Sequence, residues 1–191
     1  MRLLVPTSAG WPAAVCADLP AFLRDHAANE RKASASALSF VSHYPDRLDL
    51  VTRCIALARE ELEHFERVHA LLAERGLRLG PDAKSEYLRG LSAEFREGSE
   101  AYFLDRLVTS AIAEARGCER FGLVAAGLPE AEASLRDFYR ELARSEVRHH
   151  ETYLELAKTY FSTDEVERRL DELLRVEARI IEALPVRAAL Y

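Results

Sequence analysis

Two Glu-x-x-His tetrads, Glu61-Leu-Glu-His64 and Glu146-Val-Arg-His149, constrain this chain more than any other feature, because each lies on the apolar stripe of a long helical run. At i and i+3 the glutamate and histidine share one helix face. The stripe around Glu61 and His64 reads Cys54, Leu57, Ala58, Phe65, Val68, Leu71 and Leu72, and that around Glu146 and His149 reads Leu135, Leu142, Tyr153, Leu156 and Tyr160. Single glutamates occupy the same kind of position on two further runs. Glu30 sits among Leu23, His26, Ala27, Ala33, Ser34, Ala37 and Leu38, and Glu114 among Phe103, Leu107, Ala111, Cys118 and Phe121. A carboxylate at a core position is strongly unfavourable unless something offsets its charge. A chain with four of them must fold so that they share a compensating partner.

Apolar residues recur at helical spacing through nearly the whole sequence and alternating β-branched runs are missing, which predicts an all-α chain. The first helix starts near Pro20 and stops before Tyr44-Pro45, since proline disfavours helical geometry in the residue ahead of it. The second runs from about Asp46 to Arg75, closed by Gly76. Residues 76–98, with Gly80, Pro81 and Gly90, form a crossover carrying a short helix. A third helix fills Ser99 to Ala126 and is broken at Gly127-Leu128-Pro129. A fourth takes Glu130 to Phe161. A fifth opens on Ser162-Thr163-Asp164-Glu165, which has capping-box form, and carries the stripe Val166, Leu170, Leu173, Leu174 and Ile181. Two long helix pairs joined by one long crossover give a ferritin-like four-helix bundle, with the additional C-terminal helix packing outside. The expectation is one domain over residues 1–191.

One glutamate from each of two helices and a Glu-x-x-His from each of the other two is the ligand pattern of di-metal carboxylate bundles. Glu30 precedes Glu61 by 31 residues and Glu114 precedes Glu146 by 32, so the two halves read as repeats of one helical hairpin. Two divalent ions would balance the four carboxylates, with neutral imidazoles completing the shell. Oxygen-rich ligation with two imidazoles suits iron or manganese better than zinc. Glu30 and Glu114 are the expected terminal ligands, Glu61 and Glu146 the candidate bridges, and His64 and His149 each cap one metal. Glu66-Arg-Val-His69 repeats the tetrad, but its face of Arg59, Leu62, Glu63, Ala70 and Ala73 is mixed and solvated, so it is set aside.

Other groups carry less. His26 one turn before Glu30 and Tyr153 one turn after His149 can orient ligands, or can be ordinary satisfied core polar groups. Cys54 and Cys118 face the expected core as small hydrophobes, and His43, His69 and His150 read as surface or loop residues. Arg136, Arg140, Arg144 and Arg148 form a ridge along the fourth helix that can grip phosphates or pair with neighbouring glutamates. Arg78, Lys84, Tyr87, Arg89 and Arg96 form a second basic and aromatic cluster in the crossover. Three cysteines without a C-x-x-C pair suggest neither a disulfide framework nor a zinc site. The N-terminal apolar stretch is broken by Pro6, Ser8, Gly10 and Pro12, and no long apolar run follows, so neither a signal peptide nor a membrane span is expected. The expected address is cytoplasmic. A net charge of −6 argues against general nucleic-acid affinity, and no DNA partner is expected.

The segments HAANERKASASALSF around Glu30, REELEHFERV around Glu61 and His64, AIAEARGCERF around Glu114, and SEVRHHETYLELA around Glu146 and His149 resemble the MiaE-type tRNA hydroxylases. The resemblance runs from Phe22 to Tyr160, and AEARGCERF is its most specific piece, because the general bundle pattern asks only for its glutamate. It implies a non-haem diiron monooxygenase that uses dioxygen to hydroxylate the isopentenyl group of 2-methylthio-isopentenyladenosine beside the tRNA anticodon. The iron ligands it implies are Glu30, Glu61, His64, Glu114, Glu146 and His149. Electrons would come from a separate reductase, since no flavin or iron–sulfur motif is present. The competing readings are a ferritin-like protein that oxidises and stores iron, and a diiron or dimanganese enzyme with another substrate. A bacterioferritin's haem-ligating methionine has no counterpart, since Met1 is the only methionine.

Overall fold

A computed structural model describes all residues 1–191. Seven α-helices and no strand form the chain: α1 (Trp11–Ala17), α2 (Leu19–His43), α3 (Leu48–Glu74), α4 (Glu86–Ser92), α5 (Ser99–Gly127), α6 (Ala133–Tyr160) and α7 (Thr163–Ala183). This is the all-α, ferritin-like element order, with two long helix pairs, one long crossover and an added C-terminal helix. The chain separates into two compact units. One holds residues 15–83 and 188–190, the other residues 1–14, 84–187 and 191.

The first unit is the α2–α3 hairpin. Asp18 caps α2 by accepting from the Ala21 amide, and Pro20 sits in the first turn, where its missing N–H leaves no bond unmade. Helix α3 ends as its glycine predicts. Gly76 has φ 65°, and the amides of Gly76 and Leu77 return to the carbonyls of Ala73 and Leu72. Helices α2 and α3 are antiparallel, since Ser34 reaches Ala58 while Glu30, nearer the start of α2, reaches His64, farther along α3. Phe22, Leu23, Ala27, Ala37 and Phe40 of α2 and Leu50, Cys54, Leu57, Ala58, Val68 and Leu72 of α3 are the buried apolar residues.

The second unit pairs α5 with α6, again antiparallel, because Phe103 meets Tyr160 and Phe121 meets Tyr139. Leu128-Pro129 stops α5, and a single 3₁₀ turn over Glu130–Glu132 precedes α6, so the fourth helix begins three residues later than the pattern suggests. Helix α7 starts at a Ser162 cap that accepts from the Glu165 amide. It packs on α4 and α5. At Gly90 of α4 a Cβ would come 2.7 Å from Ile180 Cδ1, so the lack of a side chain lets α4 lie close to α7.

Helix α1 leaves no periodic signal. Its seven residues include Pro12 and three alanines, too little apolar pattern to register, yet Trp11 is buried beneath the Arg120 guanidinium, 5.1 Å from the ring centroid.

Candidate functional site

In the α2–α3 unit, Glu30, Glu61 and His64 come together and are almost wholly buried. Their potential ligand atoms all lie within 4.8 Å of one another. His64 Nδ1 is 3.5 Å from Glu30 Oε2 and 3.4 Å from Glu61 Oε2. Burial opposes a charged imidazole, but hydrogen bonds to Glu30 and Glu61, with their charge, outweigh it and push His64 up to about 10. Glu30 moves the other way. Burial alone would raise it, yet the charge and hydrogen bond of His26, with help from His64 and Glu61, bring it down to about 2. A proton on His64 thus occupies the electrostatic role that a cation would fill between two buried carboxylates.

The other unit repeats the arrangement. Glu114 of α5 and Glu146 and His149 of α6 also have ligand atoms within 4.8 Å of one another, and His149 Nδ1 is 3.2 Å from Glu146 Oε2. Glu146 and His149 are buried, whereas Glu114 is half-buried. Each triad offers two carboxylates and one imidazole, so one divalent ion would neutralise each. That donor set fits an oxygen-preferring transition metal.

The repeat extends to side chains that periodicity does not pair. Four residues after Glu30, Ser34 Oγ donates to the carbonyl of Ala58, three residues before Glu61, at 2.8 Å. Four residues after Glu114, Cys118 Sγ donates to the carbonyl of Ala143, three residues before Glu146, at 3.2 Å. Burial and the charge of Glu146 raise the Cys118 thiol, keeping it protonated and able to donate. Each helix pair is therefore tied at the same register by one short polar side chain. Cys54 is buried.

The remaining candidates divide. His26 is fully buried with Nε2 2.6 Å from Glu30 Oε1, and Tyr153 is buried one turn beyond His149. His43, His69 and Glu66 are exposed, as their faces suggest. His150 is not a surface residue: it is buried, and Nε2 lies 3.2 Å from the terminal amine of Met1. Arg140, Arg144 and Arg148 are exposed along α6 and Arg136 half-buried, with Arg140 paired to Asp137 and Arg148 donating to Ser145. The crossover cluster does not hold together as a basic and aromatic surface. Tyr87 is completely buried and donates to Glu177 Oε1, and Arg96 is engaged by Asp105.

Two buried ion-pair networks lie outside anything the spacing predicts. Arg116, fully buried, donates to both oxygens of Glu177 at 2.7 and 3.0 Å, to Glu119, to Thr7 and to the carbonyl of Val5. Asp105, also fully buried, accepts from Arg96 and from Arg169 of α7. The signal for the first is the charge of Arg116 inside the apolar run of α5, two residues past Glu114.

The chain matches, over residues 2–189, the family model described as tRNA-(MS[2]IO[6]A)-hydroxylase (MiaE). It is 38% identical over 178 residues to the tRNA 2-(methylsulfanyl)-N(6)-isopentenyladenosine(37) hydroxylase of Pseudomonas putida, covering 93% of this chain and 85% of that protein. The enzyme of the same name from Salmonella typhimurium is 35% identical over 132 residues, 69% of this chain and 47% of that one. Among solved structures, a protein with aldehyde deformylating oxygenase activity from Synechococcus superposes with a TM-score of 0.91 at 34% identity, covering 98% of this chain and 93% of the other.

Proposed function

Because the chain belongs to the MiaE family of tRNA hydroxylases, we propose that it hydroxylates the isopentenyl group of 2-methylthio-isopentenyladenosine in tRNA. In this reading Glu30, Glu61 and His64 hold one iron, and Glu114, Glu146 and His149 hold the other. The observation that carries it is the donor set: two triads of matching composition, each two carboxylates and an imidazole within 4.8 Å, in a chain with this family's pattern from end to end. The family model's match over residues 2–189 is the reason to read the 191 residues as one functional domain.

When bound, the reduced iron pair supplies the activation of dioxygen, by which one oxygen atom enters a carbon–hydrogen bond of the isopentenyl group and the other leaves as water, with two electrons and two protons consumed. The chain's own residues would hold the metals through these six side chains and exclude water with buried walls such as Leu57, Val68, Leu142 and Leu156. The electrons require a separate reductase, since three dispersed cysteines offer no iron–sulfur site. No helix is long and apolar enough to cross a membrane, and a tRNA substrate would be met in the cytoplasm.

The test supplies iron-loaded protein with a reductant system, dioxygen and tRNA carrying the isopentenylated adenosine, then digests the tRNA and weighs the nucleosides. A nucleoside heavier by one oxygen, formed only with active protein, is expected. Unchanged nucleosides despite full iron loading and oxygen consumption would overturn the substrate assignment. Replacing Glu114 by Ala is expected to abolish iron binding and hydroxylation while circular dichroism stays helical.

A further inference from the structure

The two triads agree in ligands and in the polar tie that follows each single glutamate, but they differ one turn before it. In α2 that position is His26, fully buried, with Nε2 2.6 Å from Glu30 Oε1. In α5 the same register holds Ser110, half-buried, before a glutamate that is itself half-buried. A carboxylate only accepts, so the short contact has His26 Nε2–H donating. The ring plane is set by Phe22, whose ring stacks on it at a centroid distance of 6.0 Å and 27°. With Oε1 engaged by His26, Oε2 is the oxygen that faces His64 Nδ1, at 3.5 Å. The two oxygens of Glu30 thus have separate partners, one of them an imidazole that α5 does not carry at this register.

We propose that His26 is a positioning residue that holds Glu30 to one-oxygen ligation through Oε2, so that the α2–α3 metal position differs from its α5–α6 counterpart. This rests on the reading that the triads bind iron.

Ferrous ion alone, added anaerobically to the full chain, is the probe. Stoichiometry, the affinity of each ion and Mössbauer spectra are recorded for the parent protein and for His26→Gln, His26→Leu, His26→Phe and Ser110→Ala. The parent is expected to bind two ions with distinct quadrupole doublets. His26→Leu and His26→Phe are each expected to weaken one ion by about 10–100-fold and alter its doublet alone. His26→Gln, which keeps an N–H donor, should restore both within a few-fold, and Ser110→Ala should leave both doublets unchanged. Either apolar variant suffices, provided its helix content matches the parent. Unaltered doublets and affinities in the apolar variant, or equal loss in His26→Gln, would overturn the positioning role. A parent protein that binds fewer than two ions would instead overturn the diiron reading itself, and this proposal with it.

Discussion

Glu146 keeps a carboxylate at 2% exposure beside His149 at 1%, and without metal that arrangement is unfavourable. Burying a charge costs several kcal/mol after relaxation, whereas a hydrogen bond to a charged group contributes only about 1–3 kcal/mol. Glu146→Gln, nearly the same volume, is therefore expected to lose iron while the metal-free protein withstands denaturant at least as well as the parent; a urea midpoint well below the parent's would contradict this. The same imbalance makes the proposed ligands stand out in the sequence. A glutamate on an apolar stripe is conspicuous, and four at repeated spacing leave few arrangements that neutralise them. His150 departs from its expected surface position because one residue past His149 is about 100° around the helix, which points away from the ligand face but not necessarily toward solvent. It is covered by the N-terminal segment, whose path no periodicity describes.

Helix boundaries follow from proline, glycine and caps, all local signals, and α2, α3, α5 and α7 start and stop within a few residues of where these fall. Glycines inside α5 show where local rules stop. Gly122 has nothing within 4 Å of an added Cβ, so Gly122→Ala is expected to stabilise by about 0.5–1 kcal/mol through helix propensity. At Gly117 the Cβ would come 3.0 Å from Tyr191 Oη, which donates to the carbonyl of Ala113, and crowding costing roughly 1–3 kcal/mol outweighs the same gain. Thermal melts of the two variants should move in opposite directions. The Asp105 network joins the end of the crossover to α7. Burial would raise this carboxyl, but hydrogen bonds from Arg96 and Arg169 hold it below its ordinary 3.8. A depressed acid stabilises above its unfolded value and loses that stabilisation as pH falls through the folded one. Asp105→Asn should therefore cost roughly 3 kcal/mol at neutral pH, and the gap from the parent should narrow below about pH 4.

For the whole molecule the net charge is −6, of which the four proposed glutamate ligands contribute four negative charges that bound iron would offset. The loaded protein should therefore bind tRNA more tightly than the metal-free one, and both should weaken by at least about tenfold between roughly 50 and 200 mM salt if several phosphates are contacted. Filter binding across a salt series would check both. Links between distant segments are the part of the fold that sequence does not disclose, because a side chain's partner leaves no trace in the periodicity around it. Arg116 is the clearest instance: its partners Glu177, Thr7 and Val5 lie 61, 109 and 111 residues away along the chain. Contacts of such separation close only after the segments they join are already in place, so they contribute little at the folding barrier. Chevron analysis of Glu177→Gln should accordingly show faster unfolding with a nearly unchanged folding limb. The buried arginine then governs how long the native state lasts, and hardly at all how quickly it is reached.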